Sequence, residues 1–176
     1  GKIEVVEFFW YHCPHCHHFE PALEAWLKNL PKDVHFRRVP VAFRPNFVPD
    51  QHLFYTLEAM GLLPQLHKRV FAAIHAERQD LDSREAILKW VSKQDVKGLD
   101  MAKFTQTFDS FAIASKATRA TQLQQAYNVS GVPALGIAGQ FYTDGASAQS
   151  MERALQITNY LIGAQRSKAP SAPRKK

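Results

Sequence analysis

Three observations in this chain of 176 residues predict an α/β fold that carries a helical insertion. A nearly continuous apolar run at 3–10 (IEVVEFFW) leads into a helical pattern and then a second strand-like run. A stretch from about Gln51 to Gln125 has helical texture throughout. Two short runs around Gly139 then precede a final helical segment. The order is β-α-β, helical block, β-β-α.

Residues 3–10 read as a strand buried on both faces, interrupted by one acid, Glu7. A helix is expected from Pro14 to Leu30, with Phe19, Leu23, Trp26, Leu27 and Leu30 on one face. Pro14 fits the first turn, where a missing N–H costs nothing. Pro21 lies inside the pattern and should kink it. Residues 34–43 (VHFRRVPVAF) read as the second strand, with Pro40 near its end or at a bulge, and Arg44–Asp50 as a loop. In the helical block, Leu66, Val70 and Ile74 share a face. Asp82 with Glu85 resembles a capping box ahead of Ile87, Leu88 and Val91. Gly98 and Asp100 read as a stop and restart before Phe104, Phe108 and Phe111. A longer helix is expected over Ala112–Tyr127. Ala134–Ala138 and Gln140–Thr143 give a hairpin signal, and the last helix is expected over Ala148–Gly163.

Hydrophobic content of 45% supports a sizeable core, and no apolar stretch approaches the ~18 residues that span a bilayer. The net charge of +6 is concentrated at the end of the chain. Residues 166–176 carry five basic groups and no acid, and without them 17 basic residues face 16 acidic ones. A disordered, solvated tail over 165–176 is expected, rather than a nucleic-acid surface; weak attraction to an anionic membrane is the functional alternative. No leader is visible at Gly1-Lys2-Ile3-Glu4, so either the chain is intracellular or a signal peptide has been removed.

The only two cysteines form Cys13-Pro14-His15-Cys16, directly after the first strand and opening the first helix. In that context C-x-x-C reads as a thiol–disulfide redox site. At a helix start unpaired N–H groups and the helix dipole stabilise a thiolate. Cys13 is therefore expected to be the exposed, acidic sulfur that partners attack, and Cys16 the more buried resolving thiol. A stabilised thiolate leaves readily from a disulfide, and His15 adds a polar or cationic group beside it. A zinc site is the alternative, since four of the eight histidines (His12, His15, His17 and His18) lie in residues 12–18. A structural site of the usual kind needs a second ligand pair, and no other cysteine exists. An inert structural disulfide is a further alternative, but so short a loop constrains little. His35, His52, His67 and His75 read as ordinary surface or half-buried residues.

Glu7 is the next informative residue. A carboxylate within a central strand needs a purpose or a partner, and burial should raise its pKa. The expected role is to handle the proton of Cys16; the alternative is an edge strand with Glu7 in solvent. At Val132-Pro133, a cis bond is plausible from the sharp turn after Gly131, with an ordinary trans proline as the commoner case.

Taken together, Glu7-Phe8-Phe9, the C-P-H-C motif and Gly131-Val132-Pro133 after a helical block resemble the DsbA family of bacterial disulfide oxidoreductases, over nearly the whole chain to about residue 164. The resemblance implies a thioredoxin fold with an inserted helical domain: 1–48 and 126–164 as the thioredoxin-like part and 49–125 as the insertion and linking helix. It implies that Cys13 and Cys16 are the catalytic, redox-active pair, tuned by Pro14, His15 and Glu7. Val132 and Pro133 would form the cis-proline loop that binds an extended substrate, and Arg38 would be the basic partner of Glu7. It implies a monomeric periplasmic enzyme without cofactor or metal, acting on reduced secreted proteins and reoxidised by a DsbB-like membrane quinone reductase. That family is itself the usual illustration of an acidic helix-start cysteine in a strongly oxidising couple, so that property belongs to the resemblance. The family usually has one more strand before the one that leads into the motif, and this chain begins almost at that strand, so a truncated N-terminus or a missing strand is expected. A reductase or isomerase on the same fold, and a peptide-binding chaperone with incidental cysteines, are the alternatives.

Overall fold

A computed structural model describes residues 1–168. Its sheet contains β1 (Ile3–Phe9), β2 (Val34–Pro40), β3 (Ala134–Ile137) and β4 (Phe141–Asp144), in the order β2-β1-β3-β4. β1 runs parallel to β2 and antiparallel to β3, with Glu7 opposite Arg38 on one side and Leu135 on the other. β1 therefore has a neighbour on both sides, which removes the edge-strand reading of Glu7. Alternation along β1 splits the core. Val5 packs with Phe19 and Leu23 of helix α1 (Pro14–Lys28) and with Leu155 and Ile162 of helix α8 (Met151–Lys168). Val6 and Phe8 belong to a second cluster that continues into the helical block.

That block comprises α2 (Val48–Ala59), α3 (Leu63–His75), α4 (Arg84–Ser92), α5 (Met101–Phe108) and α6 (Phe111–Ala126). α2 is its hub: Leu53, Phe54, Tyr55, Thr56 and Leu57 are all buried, the pattern of a helix surrounded on most sides. Two glutamines join the block to the sheet. Gln51 donates to the Pro40 carbonyl and to Thr121. Gln124 accepts from the Ala42 N–H at 2.8 Å and donates to its carbonyl.

Several boundaries differ from expectation for physical reasons. β2 ends at Pro40 on the outer edge of the sheet, where a missing N–H costs no ladder bond; the Val41 N–H still donates to the Phe9 carbonyl at 2.9 Å, and beyond it Gln124 takes over the backbone groups of Ala42. The expected loop at Arg44–Asp50 is a 3₁₀ turn (Pro45–Phe47) running into α2. Ser83, not Asp82, caps α4, accepting from the Ala86 N–H at 3.1 Å. Pro21 lies within α1, which continues on both sides of it. The last helical region is two pieces, α7 (Gly145–Ala148) and α8. α8 runs through Lys168, so the first residues of the expected tail are helical, and the remainder of that tail lies outside the described residues.

Candidate active site

The turn after β1 delivers Cys13 to the N-cap of α1, with extended backbone, Pro14 in the first turn and Cys13 Sγ accepting from the Cys16 N–H at 3.2 Å. Both cysteines are free thiols. Cys16 is fully buried, whereas Cys13 keeps 7% of its surface. Cys13 is thus the more accessible sulfur but not an exposed one. Its thiol is lowered to about 7, by its hydrogen bond with Cys16 first, against the opposing effect of burial, and then by the backbone N–H groups of Cys16 and His15. Cys16 moves the other way, raised by burial, by Cys13 and by the charge of Glu7. His15 contributes through its backbone, and its side chain is exposed.

The Cys13 thiol also donates to the Val132 carbonyl at 3.5 Å. Val132-Pro133 is a cis peptide, the rarer of the two forms weighed from the sequence. This turn and His15 line a groove of about 410 Å³, whose other wall includes Asp144, Gln149 and Met151.

Glu7 lies in the centre of the sheet with no exposure. Arg38 Nε is 3.3 Å from its Oε1, but neither Glu7 oxygen has a hydrogen bond. Burial raises its pKa, and the charge of Glu20 raises it further, with Arg38 opposing. The same guanidinium donates from Nη2 to Glu20 Oε2 at 3.1 Å. His67 Nε2 lies 3.5 Å from the other Glu20 oxygen, and His67 Nδ1 is 2.8 Å from the Tyr11 hydroxyl. His67 is therefore a buried member of a polar cluster, not the surface or half-buried residue the sequence suggested. Glu20, Tyr11 and His67 were missed from the sequence, where each sits inside an apolar pattern. Only the spacing of Glu20 from Cys16, one helical turn, could have pointed to it.

From the sequence, His12, just before Cys13, is a candidate zinc ligand only. Its ring lies between two acids instead, with Nδ1 2.6 Å from Asp50 of α2 and Nε2 2.9 Å from Asp82. His17 stacks on His75 and Phe71. Among the described residues no three His, Cys, Asp or Glu side chains are grouped to hold a metal.

Comparison with known proteins gives a consistent picture. A family model described as a DSBA-like thioredoxin domain matches residues 4–156. The thiol:disulfide interchange protein DsbA of Azotobacter vinelandii is 42% identical over 167 residues, which are 95% of this chain and 77% of that protein. The crystal structure of Pseudomonas aeruginosa DsbA superposes with a TM-score of 0.89 at 42% identity, covering 96% of this chain and 86% of that one. That of DsbA from Xylella fastidiosa gives 0.86 at 28% identity, covering 95% and 88%.

Proposed function

Because this chain belongs to the DsbA family of thiol:disulfide oxidoreductases, we propose that it acts as a dithiol oxidase, giving a Cys13–Cys16 disulfide to reduced, newly exported proteins. The observation that carries this reading is the difference between the two sulfurs. A substrate thiolate attacks Cys13, which keeps the residual exposure. The Cys13–Cys16 bond breaks, its electrons leave on Cys16, and a mixed disulfide forms at Cys13. Cys16, whose thiol is pushed up, takes a proton as it leaves. A second substrate thiolate then attacks the substrate sulfur, and Cys13 departs as a thiolate. Acidic thiols leave faster, so a Cys13 held at about 7 favours release of the oxidised product.

In this reading Glu7 supplies the proton that Cys16 takes up, supported by its burial without a hydrogen bond. The Val132-Pro133 backbone aligns an extended substrate segment in the groove beside Cys13, and Pro14 and His15 set the helix start. The protein works as a monomer in the periplasm and is reoxidised by a DsbB-like membrane quinone reductase. Residues 1–48 and 126–164 form the redox domain and 49–125 the inserted one. The deciding experiment is the equilibrium of the cysteine pair against a glutathione series. An oxidase gives a potential well above the roughly −270 mV of a reducing thioredoxin. A value at or below that level would replace the oxidase reading with a reductase.

A further inference from the structure

Glu7, Glu20 and His67 are packed together out of solvent around the part-buried guanidinium of Arg38, and the charges of the two acids outnumber it. The two acids and the imidazole are each at most 6% exposed. If both carboxyls ionise, two buried anions share one guanidinium, an arrangement low-dielectric surroundings resist. With His67 held neutral by its burial, one carboxyl must therefore hold a proton, and the geometry distinguishes the two. Glu20 accepts a hydrogen bond from Arg38 at 3.1 Å, and His67 Nε2 lies 3.5 Å from its other oxygen, close enough for charge contact though not aligned for a hydrogen bond. Glu7 has only the unaligned Arg38 Nε at 3.3 Å.

Tyr11 decides which nitrogen of His67 carries hydrogen. Burial raises the Tyr11 phenol, so it keeps its proton. Burial also lowers His67, which favours the neutral ring with a single N–H. Nδ1, at 2.8 Å, is the one hydrogen-bond partner of that hydroxyl among the described residues, so satisfying the buried O–H means donating to Nδ1, which leaves the ring's proton on Nε2, the nitrogen beside Glu20. A proton there stabilises a carboxylate, whereas a lone pair would repel it.

We infer that the Tyr11–His67 pair fixes the single negative charge of this cluster on Glu20, and so leaves Glu7 as the carboxyl that retains its proton within electrostatic reach of Cys16. The titration directions agree. Burial acts to raise Glu20, yet His67 and Arg38 carry it below its ordinary value, while Glu7 lies above its own. The other charged groups acting on the pair are Glu24 of α1, tied to Lys68 at 2.7 Å, and Asp50, which acts on Tyr11. His67 and Tyr11 are positioning residues. Their importance to turnover rests on Glu7 as proton donor to Cys16, but the placement of charge does not.

The test is a carboxyl-carbon NMR titration of the reduced, full-length protein labelled at glutamate, for wild type, His67→Phe, His67→Gln and Tyr11→Phe. His67→Phe keeps the ring among Phe9, Phe54 and Phe71, and Tyr11→Phe removes a single hydroxyl. In His67→Phe the Glu20 midpoint should rise and the Glu7 midpoint fall, each by about one pH unit. His67→Gln, which keeps a donor, should restore part of the difference, and Tyr11→Phe should shift both midpoints in the His67→Phe direction by less. Unmoved midpoints in the folded variants would overturn the inference, with Tyr11→Phe deciding if His67→Phe does not fold. Single-turnover oxidation by Glu7→Gln separates the underlying reading: an unchanged rate there removes the donor role of Glu7, while the charge placement is still judged by the midpoints alone.

Discussion

At the residue scale the chemistry rests on how differently two thiols three positions apart are treated. Thiolate absorbance of the reduced protein should titrate with a midpoint of about 7 for Cys13, and Cys16 should stay protonated through that range. The same difference governs stability. Folded Cys13 loses its proton below the ordinary thiol value of 9.0, so between the two values the unfolded chain binds more protons. Stability of the reduced form should then rise as pH increases from about 7 to 9, and fall back as pH drops through the folded value. Urea midpoints of the reduced protein, against a Cys13→Ser control that lacks the slope, check this. Glu7→Gln should slow oxidation of a model dithiol on the order of 100-fold, the usual size of a lost proton donor. A rate unchanged across the acidic to neutral range would count against that role. Cys13, Cys16 and Glu7 were legible because each breaks the pattern around it. His67 and Tyr11 were not, because an imidazole or phenol inside an apolar stripe looks the same whether it packs or pairs. The partner that distinguishes them is 56 positions away.

At the scale of elements, local rules and tertiary contacts divide the outcome. The hairpin, the helix restart at Asp100 and the strand that opens the chain follow from a turn glycine, a capping residue and an almost unbroken apolar run, and the sequence displays all three. The α4 start shows the limit. Two acceptors compete within two residues, and Ser83 takes the cap while Asp82 turns to His12. Ser83→Ala should therefore cost about 1 kcal/mol in denaturant unfolding, while Asp82→Ala leaves the cap intact. Gly136 in β3 is set by a neighbour that no local pattern reveals. A Cβ there would come within 2.7 Å of the Tyr127 ring, whose hydroxyl accepts from the Gly139 N–H. Gly136→Ala should destabilise by about 1–3 kcal/mol through overpacking, and pairing it with Tyr127→Leu should recover part of the loss.

At the scale of the whole molecule, the sheet and the helical block meet through a few polar ties that long sequence separation hides. The His12–Asp50 contact is one. Burial alone would lower His12, but the Asp50 hydrogen bond and the charges of Asp50 and Asp82 outweigh it and raise the value above 6.5. The folded state therefore holds this proton more tightly than the unfolded chain. The contribution is complete below about 6.5 and is lost as pH rises through the folded value. Measured on the oxidised protein, where Cys13 cannot titrate, urea midpoints should decline over that range, and His12→Asn should remove the decline. Only the element order of this architecture could be read in advance, because that order is local while the ties across it are not. The slight opening above Cys13, 7% of its surface, has a consequence for timing. A sulfur so recessed can be met by a thiolate on a strand loose enough to bend toward it, and not by one fixed on a finished, convex surface. Crosslinks would then be written into a client while its chain is still slack, and a client that compacts first would lose its turn.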